Sequence, residues 1–189
     1  NVISLVSGSS STHLRVGYPR DALFSIPFVG LNDEGIPQII NEKGEITTTD
    51  INFQEYENLD FLKYEGPTEP TITGGLNNLL TWKNWRLNLF LTYSFGNKIR
   101  LDPVFSAAYS DMSAMPKEFK NRWVQPGDEN ITSVPAIASV RQYQNDTNLR
   151  YAYNAYNYST ERVADGGFIR LKNVSLSYDL PKSLITKIG

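Results

Sequence analysis

The 189 residues contain no cysteine and only one histidine, His13. Without cysteine there is no disulfide framework and no thiolate metal site, and the redox compartment stays open on that criterion. Ser-His-Asp and histidine-rich metal arrangements fail on the histidine inventory, and His13 reads as a solvated loop residue. No stretch approaches the roughly 18 consecutive apolar residues of a membrane-spanning helix, which excludes a helical membrane protein but not a β-barrel. A strong charge of one sign is also lacking. At a net charge of −2 and a pI near 5.5, nothing points to nucleic acid as a partner. Good helix formers in helical spacing are scarce. Paired carboxylates occur at Asp33-Glu34 and Asp128-Glu129, but in loop-like sequence with no apolar pocket to raise either pKa. No catalytic constellation, cofactor or metal is therefore expected.

What the chain has is tyrosine, phenylalanine, asparagine and a long alternation. From Thr71 the even positions Ile72, Gly74, Leu76, Leu80 and Trp82 oppose Thr73, Gly75, Asn77, Leu79 and Thr81. After Lys83-Asn84 the parity flips, and Trp85, Leu87, Leu89, Leu91, Tyr93 and Phe95 oppose Arg86, Asn88, Phe90, Thr92 and Ser94. A two-residue hairpin turn requires that flip. It makes Trp82 and Trp85 partners on one face and pairs Leu80 with Leu87, Leu76 with Leu91 and Ile72 with Phe95. A slip of one residue would mix the faces, so the register is well specified. Each strand has about 11 residues, the length a tilted strand needs to cross a bilayer, against about five or six for soluble strands. The Trp82/Trp85 pair beside a minimal turn fits an aromatic membrane girdle.

A third long strand is expected over Gly167–Leu180, with Val174, Leu176, Tyr178 and Leu180 on its apolar face. Arg170 and Lys172 share that even face, so only the lower half is expected to contact lipid. Pro181 ends the pairing. Between the second and third strands lie about 70 residues, far longer than a usual soluble loop, and outer-membrane barrels combine long outside loops with short inside turns. The expected organisation is strands at about 71–82, 85–96 and 167–180 with outside loops at about 6–70 and 97–166. Within the loops, Val2–Val6 reads as the top of another strand, and Ala22–Val29 as an extended segment that does not span. Ser113–Trp123 reads as one short helix, with Met115, Phe119 and Trp123 at fourfold spacing. Residue 1 is Asn and the chain stops on Lys187-Ile188-Gly189, so it reads as an internal portion of a longer polypeptide, one not expected to fold alone.

Several blocks carry a family resemblance: Glu65-Gly66-Pro67-Thr68-Glu69-Pro70, Gly74-Gly75-Leu76, Tyr93-Ser94-Phe95-Gly96-Asn97-Lys98-Ile99, Asn121-Arg122-Trp123, Pro126-Gly127-Asp128-Glu129 and Pro135. The most specific runs from Val163-Ala164-Asp165-Gly166-Gly167-Phe168-Ile169-Arg170-Leu171-Lys172 through Asn173 to Pro181. In order and spacing the chain resembles the carboxy-terminal part of the barrel of SusC/RagA-type TonB-linked outer-membrane transporters. The resemblance implies an all-β, antiparallel transmembrane barrel of about 22 strands, plugged from the periplasmic side. It further implies import of glycans or peptides, a SusD-like surface lipoprotein partner, and TonB contact through an amino-terminal part that this sequence lacks, plug included. Gly167 and Phe168 stand where relatives more often have Ser and Tyr.

For ligand contact the expected residues are Tyr151, Tyr153, Asn154, Tyr156 and Tyr158, within a run that alternates flat, hydroxyl-bearing rings with carboxamides. Loop packing and contact with the lipoprotein are the competing roles for that run. Asp111, Asp128, Glu129 and Asn130 could offer hard oxygen ligands to calcium, though without EF-hand spacing. The alternative to a transporter is a soluble carbohydrate-binding β-sandwich, which would bury the Trp82/Leu87/Leu89/Leu91 face under a second sheet instead of leaving it for lipid.

Overall fold

The computed structural model describes residues 1–8, 14–104 and 116–181, so His13, Asp111 and Ser113–Met115 lie outside it. The chain begins with helix α1 (Val2–Ser7), and the strand expected over Val2–Val6 is corrected here. Val2, Leu5 and Val6 recur at helical spacing and are buried together, the Asn1 side chain accepts the Ser4 amide at 3.1 Å, and Gly8 closes the helix at φ 64°. Four short strands follow: β1 (Ala22–Ser25), β2 (Phe28–Leu31), β3 (Pro37–Ile40) and β4 (Ile46–Thr47). Then come β5 (Lys63–Pro67), the long strands β6 (Ile72–Trp82) and β7 (Trp85–Phe95), and β8 (Lys98–Arg100). Helices α2 (Val140–Asn145) and α3 (Leu149–Asn157) precede β9 (Val163–Asp165) and β10 (Phe168–Tyr178). These elements fall into two compact units, Asn1–Thr68 with Lys98–Ala164, and Glu69–Asn97 with Asp165–Gly189.

The first unit is what the sequence presents as loops, and it has a core of its own. Val2, Leu5, Val6, Phe24, Ile26, Ile39, Ile51, Leu62 and Ala155 are buried in one cluster. Strands β2, β3 and β4 form an antiparallel meander, and the same turn joins both hairpins. In Asn32-Asp33-Glu34-Gly35-Ile36 the Asn32 carboxamide oxygen accepts the amides of Glu34 (3.1 Å) and Ile36 (2.7 Å). In Asn41-Glu42-Lys43-Gly44-Glu45 the Asn41 oxygen accepts those of Lys43 (3.0 Å) and Glu45 (2.9 Å). Gly35 and Gly44 both take positive φ, 74° and 81°, as the fourth residue of a turn this tight requires. Strand β1 pairs antiparallel with β5, and β8 is hydrogen-bonded to β9.

The extended segment Ala22–Val29 is seen in its parts in this unit, and two corrections to the expected loops follow it. Ala22–Val29 forms two strands broken at Ile26-Pro27, where proline cannot donate to a ladder. Of the helix expected at Ser113–Trp123, the described part is a 3₁₀ turn, Lys117–Asn121, with Pro116 at its start. Helices α2 and α3 occupy sequence read as irregular, and α2 starts with a reciprocal capping box between Ser139 and Gln142.

The second unit is the three-stranded antiparallel sheet β6-β7-β10. In the β6–β7 hairpin Trp82 pairs with Trp85, Leu80 with Leu87, Leu76 with Leu91 and Ile72 with Phe95, as the alternation requires. Lys83 takes a positive φ of 53° in the two-residue turn, the left-handed conformation that primed hairpin turns need. Strand β10 pairs with β7 from Phe168–Ser94 down to Tyr178–Trp85. Asp179 then clamps the turn: its amide donates to Asn84 O at 2.8 Å, its carbonyl accepts the Asn84 side chain at 2.9 Å, and its carboxylate pairs with Arg86 at 2.5 Å.

Candidate functional site

The sheet has two chemically distinct faces, and a β-bulge keeps them distinct. Between Leu171 and Asn173 the register with β7 shifts by one residue, so Lys172 is extra. Above the bulge Ile169 and Leu171 oppose Tyr93 and Leu91; below it Val174, Leu176 and Tyr178 oppose Leu89, Leu87 and Trp85. Directly opposed residues share a face. The expectation that Arg170 and Lys172 share the face of Val174, leaving only the lower half apolar, is thereby corrected. The odd-numbered Ile169 and Leu171 take over that face, and Arg170 turns to the other, its guanidinium 4.8 Å from the Phe168 ring centroid.

Interrupted by Asn78 on the rung of Leu89, the apolar face runs the height of the three strands. Its β6 and β10 side chains are exposed, with Trp82 at 67 % and Ile169 at 68 % accessibility, and Leu87, Leu89, Leu91 and Tyr93 of β7 are half-buried. At its lower end the Trp85 and Tyr178 rings lie 4.6 Å apart, and the Lys83 ammonium sits 5.0 Å from the Trp82 ring. At its upper end Tyr93 stacks with Phe95 at 5.9 Å. The Tyr93 ring covers Gly74, where a Cβ would come within 2.5 Å of Tyr93 Cζ. That glycine is needed for close approach. On the other face Thr81, Asn77 and Thr73 line up with Arg86, Asn88, Thr92 and Ser94 and with Asn173, Ser175 and Ser177, interrupted by Leu79, Phe90 and Phe168.

The tyrosine run of the first unit is α3, not an extended loop. Leu149, Ala152, Tyr153 and Tyr156 recur at helical spacing on one face, and Tyr153 (2 % exposed) and Tyr156 (1 %) belong to the interior. Tyr153 donates to Ala136 O at 2.8 Å, and Tyr156 packs with Val104, Phe119 and Phe28, its ring 5.5 Å from that of Phe28. Of the five residues expected to touch ligand, Asn154 is exposed and Tyr151 and Tyr158 are half-buried. Tyr151 stacks on Phe53 at 6.2 Å, and the Arg100 guanidinium lies 5.5 Å from the Tyr158 ring. Burial pushes the hydroxyls of both Tyr153 and Tyr156 up to about 12 from the ordinary 10. The fold favours their neutral forms, so their contribution to stability is complete below pH 10 and is lost as pH rises through about 12. Loop proteolysis is expected to stay flat up to pH 10 and to accelerate between pH 10 and 12, an acceleration lost in a Tyr153→Phe/Tyr156→Phe variant.

Asp128 and Glu129, the calcium candidates, have protein donors instead. One Asp128 oxygen accepts the amides of Val124 (3.0 Å) and Gln125 (3.1 Å). Glu129 accepts the Trp123 indole N–H at 3.0 Å and the Gly127 amide at 2.8 Å. The indole first, then the Glu129 and Gly127 amides, hold the Glu129 carboxyl below the usual range. This knot presses the Trp123 ring onto Gly35, where a Cβ would lie 2.5 Å from Cδ2. Gly35→Ala is expected to cost about 1–3 kcal/mol by combining that clash with a positive φ. A red shift of Trp123 emission on denaturant titration, at lower midpoint, checks it.

Sequence reasoning missed Arg162, which is 4 % exposed, pairs with Glu118 and donates to Asp102 O at 2.5 Å. No local pattern around Thr160-Glu161-Arg162 marks it, since its partners lie 44 and 60 residues away.

An antiparallel sheet with one apolar and one polar face, joined in sequence to a separately packed loop unit, describes the class of the molecule. No protein-family model matches the chain. It is 33 % identical over 150 residues to TonB-dependent receptor P3 of Formosa agariphila, covering 79 % of this chain and 12 % of that protein. It is 27 % identical over 119 residues to TonB-dependent receptor P39 of the same organism, covering 61 % and 10 %. Among solved structures, the RagAB peptide importer in its open-open state superposes with TM-score 0.57 and 21 % identity, over 94 % of this chain and 18 % of that one. The closed-closed state gives 0.56 and 22 %, over 91 % and 18 %. The chain belongs to the TonB-dependent receptors, and it spans about an eighth or less of the curated relatives' length.

Proposed function

We propose that this chain supplies wall strands and outer loops to a TonB-dependent importer of oligosaccharides or other large nutrients, peptides among them, in the bacterial outer membrane. The observation that carries this reading is the apolar face of β6-β7-β10, which runs from Trp82/Trp85/Tyr178 to Ile72/Phe95/Ile169 with Asn78 as its polar interruption. Ten residue steps at about 3.3 Å, tilted by about 40°, rise about 25 Å, the height of the apolar band of outer-membrane barrels. Trp82 and Trp85 serve as the periplasmic girdle in this reading, and lipid covers the face. A sandwich would bury it.

The loop unit faces outwards in this reading and meets nutrient and a surface lipoprotein. Asn154 and the exposed edges of Tyr151 and Tyr158 are the proposed ligand contacts, with Tyr153 and Tyr156 as the framework behind them. Energy coupling through TonB belongs to the remainder of the polypeptide.

The test is on the full-length protein. It is expected to fractionate with the outer membrane, to shift mobility on heating in SDS, and to lose uptake when TonB is removed. A soluble periplasmic protein, or uptake indifferent to TonB, overturns the reading. Tyr151→Ala/Asn154→Ala is expected to lower uptake severalfold with assembly intact; unchanged uptake removes these two residues from the ligand contact.

A further inference from the structure

We propose that the groove beside the Lys117–Asn121 turn docks a carboxylate-bearing segment of the protein that caps these loops, an inference that rests on the partner reading above. The groove encloses about 380 Å³, with Phe119 and Ile137 as its apolar wall and Lys117, Lys120 and Arg122 as its charged one. Arg122 also borders an adjoining hollow of about 270 Å³ that includes Ile131 and Asp128, whose carboxylate accepts the Val124 and Gln125 amides. Among the described residues none of the three cations has an ion-pair partner. Glu118, the acid nearest them in sequence, is committed to Arg162.

The backbone makes this arrangement unfavourable on its own. In a 3₁₀ turn residues three apart eclipse one another, so Lys117 and Lys120 stand on the same side. Like charges so placed repel, and Arg122 adds a third. An anionic partner removes that repulsion, and a neutral one does not. The apolar wall decides what kind of anion. A free inorganic ion gains nothing from Phe119 and Ile137, whereas a peptide segment with carboxylates flanking an apolar side chain uses both walls. Ile131, in the adjoining hollow, is 83 % exposed. Apolar centre and charged rim are the anatomy of a protein–protein interface.

The experiment uses the full-length transporter in detergent with its surface lipoprotein, binding measured at two salt concentrations. Lys117→Gln/Lys120→Gln/Arg122→Gln is expected to weaken binding about tenfold at low salt and to flatten the salt dependence. The corresponding Glu triple variant is expected to weaken it about a hundredfold. Heat-shifted mobility in SDS confirms that each variant is assembled. Wild-type affinity and salt slope in both variants overturn the proposal. So does a synthetic Glu/Leu decapeptide that binds wild type, fails on the Gln variant and does not displace the lipoprotein, since the groove then serves a free peptide. If wild type itself binds no lipoprotein, the partner reading fails first and takes this proposal with it.

Discussion

Val174→Arg is expected to lower the stability of the assembled protein by about 2–4 kcal/mol, while Ser175→Arg, one residue on, stays within about 0.5 kcal/mol. The two positions are equivalent in strand, height and solvent access and differ in face. Val174 opposes Leu89 on the apolar side, and Ser175 opposes Asn88 on the polar side. At mid-height of a bilayer a guanidinium on the lipid side must be desolvated or drag water and headgroups inward. On the polar side it stays hydrated. Urea titration in lipid vesicles, read by the heat-shifted band in SDS, measures both. Equal effects of the two substitutions would mean that the Val174 face does not meet lipid. Because Val174 lies just below the bulge, Ile169→Arg and Arg170→Leu extend the comparison above it. If the register shift is as described, Ile169 behaves like Val174 although their numbers differ in parity.

Tyr156→Ala is expected to cost the loop unit about 3–5 kcal/mol, the range for emptying a large aromatic from a packed interior. Its ring is enclosed by Val104, Phe119 and Phe28, and its loss also removes packing from the neighbourhood of Arg162. Asn154→Ala, two residues earlier on the solvent side of the same helix, is expected to stay within about 0.5 kcal/mol. Protease cleavage of the outer loops in intact cells separates the two, fast for the first and unchanged for the second. A Tyr156→Ala protein with wild-type protease resistance and impaired uptake would return Tyr156 to the ligand surface. Uptake alone cannot make that distinction, because a collapsed loop unit also stops transport.

The sheet of long strands was legible in the sequence to the level of register. Period-two alternation over two strands of 11 residues, reversed across Lys83-Asn84, leaves a single pairing that keeps Leu80, Leu87, Leu76 and Leu91 together. Alternation failed in β10 because it assumes one residue per rung, and Lys172 occupies none. A sign of this was present: Ile169 and Leu171 are apolar at odd positions and Val174 and Leu176 at even ones, which a bulge reconciles. In the loop unit, composition misled. Tyr and Asn read as irregular, yet Leu149, Ala152, Tyr153 and Tyr156 keep helical spacing, and Ser139-x-x-Gln142 is a helix-start signature. Val2–Val6 misled in the opposite sense, since β-branched residues suggest a strand while Val2, Leu5 and Val6 mark a helix face. Arg162 was not legible at all, because its partners become neighbours only after the unit has folded.

The extra residue at position 172 also bears on how this sheet tolerates change in chain length. Removing a residue from a regular strand turns everything beyond the deletion inside out, exchanging its two surfaces. Removing Lys172 instead leaves Leu171 on the rung of Leu91 and Asn173 on that of Phe90, since those partners already stand opposite one another. The strand thus carries one position of slack at which the gene can lose a codon without reversing the sheet. The same slack lets Arg170 and Val174, both even-numbered, serve opposite surfaces of a single strand.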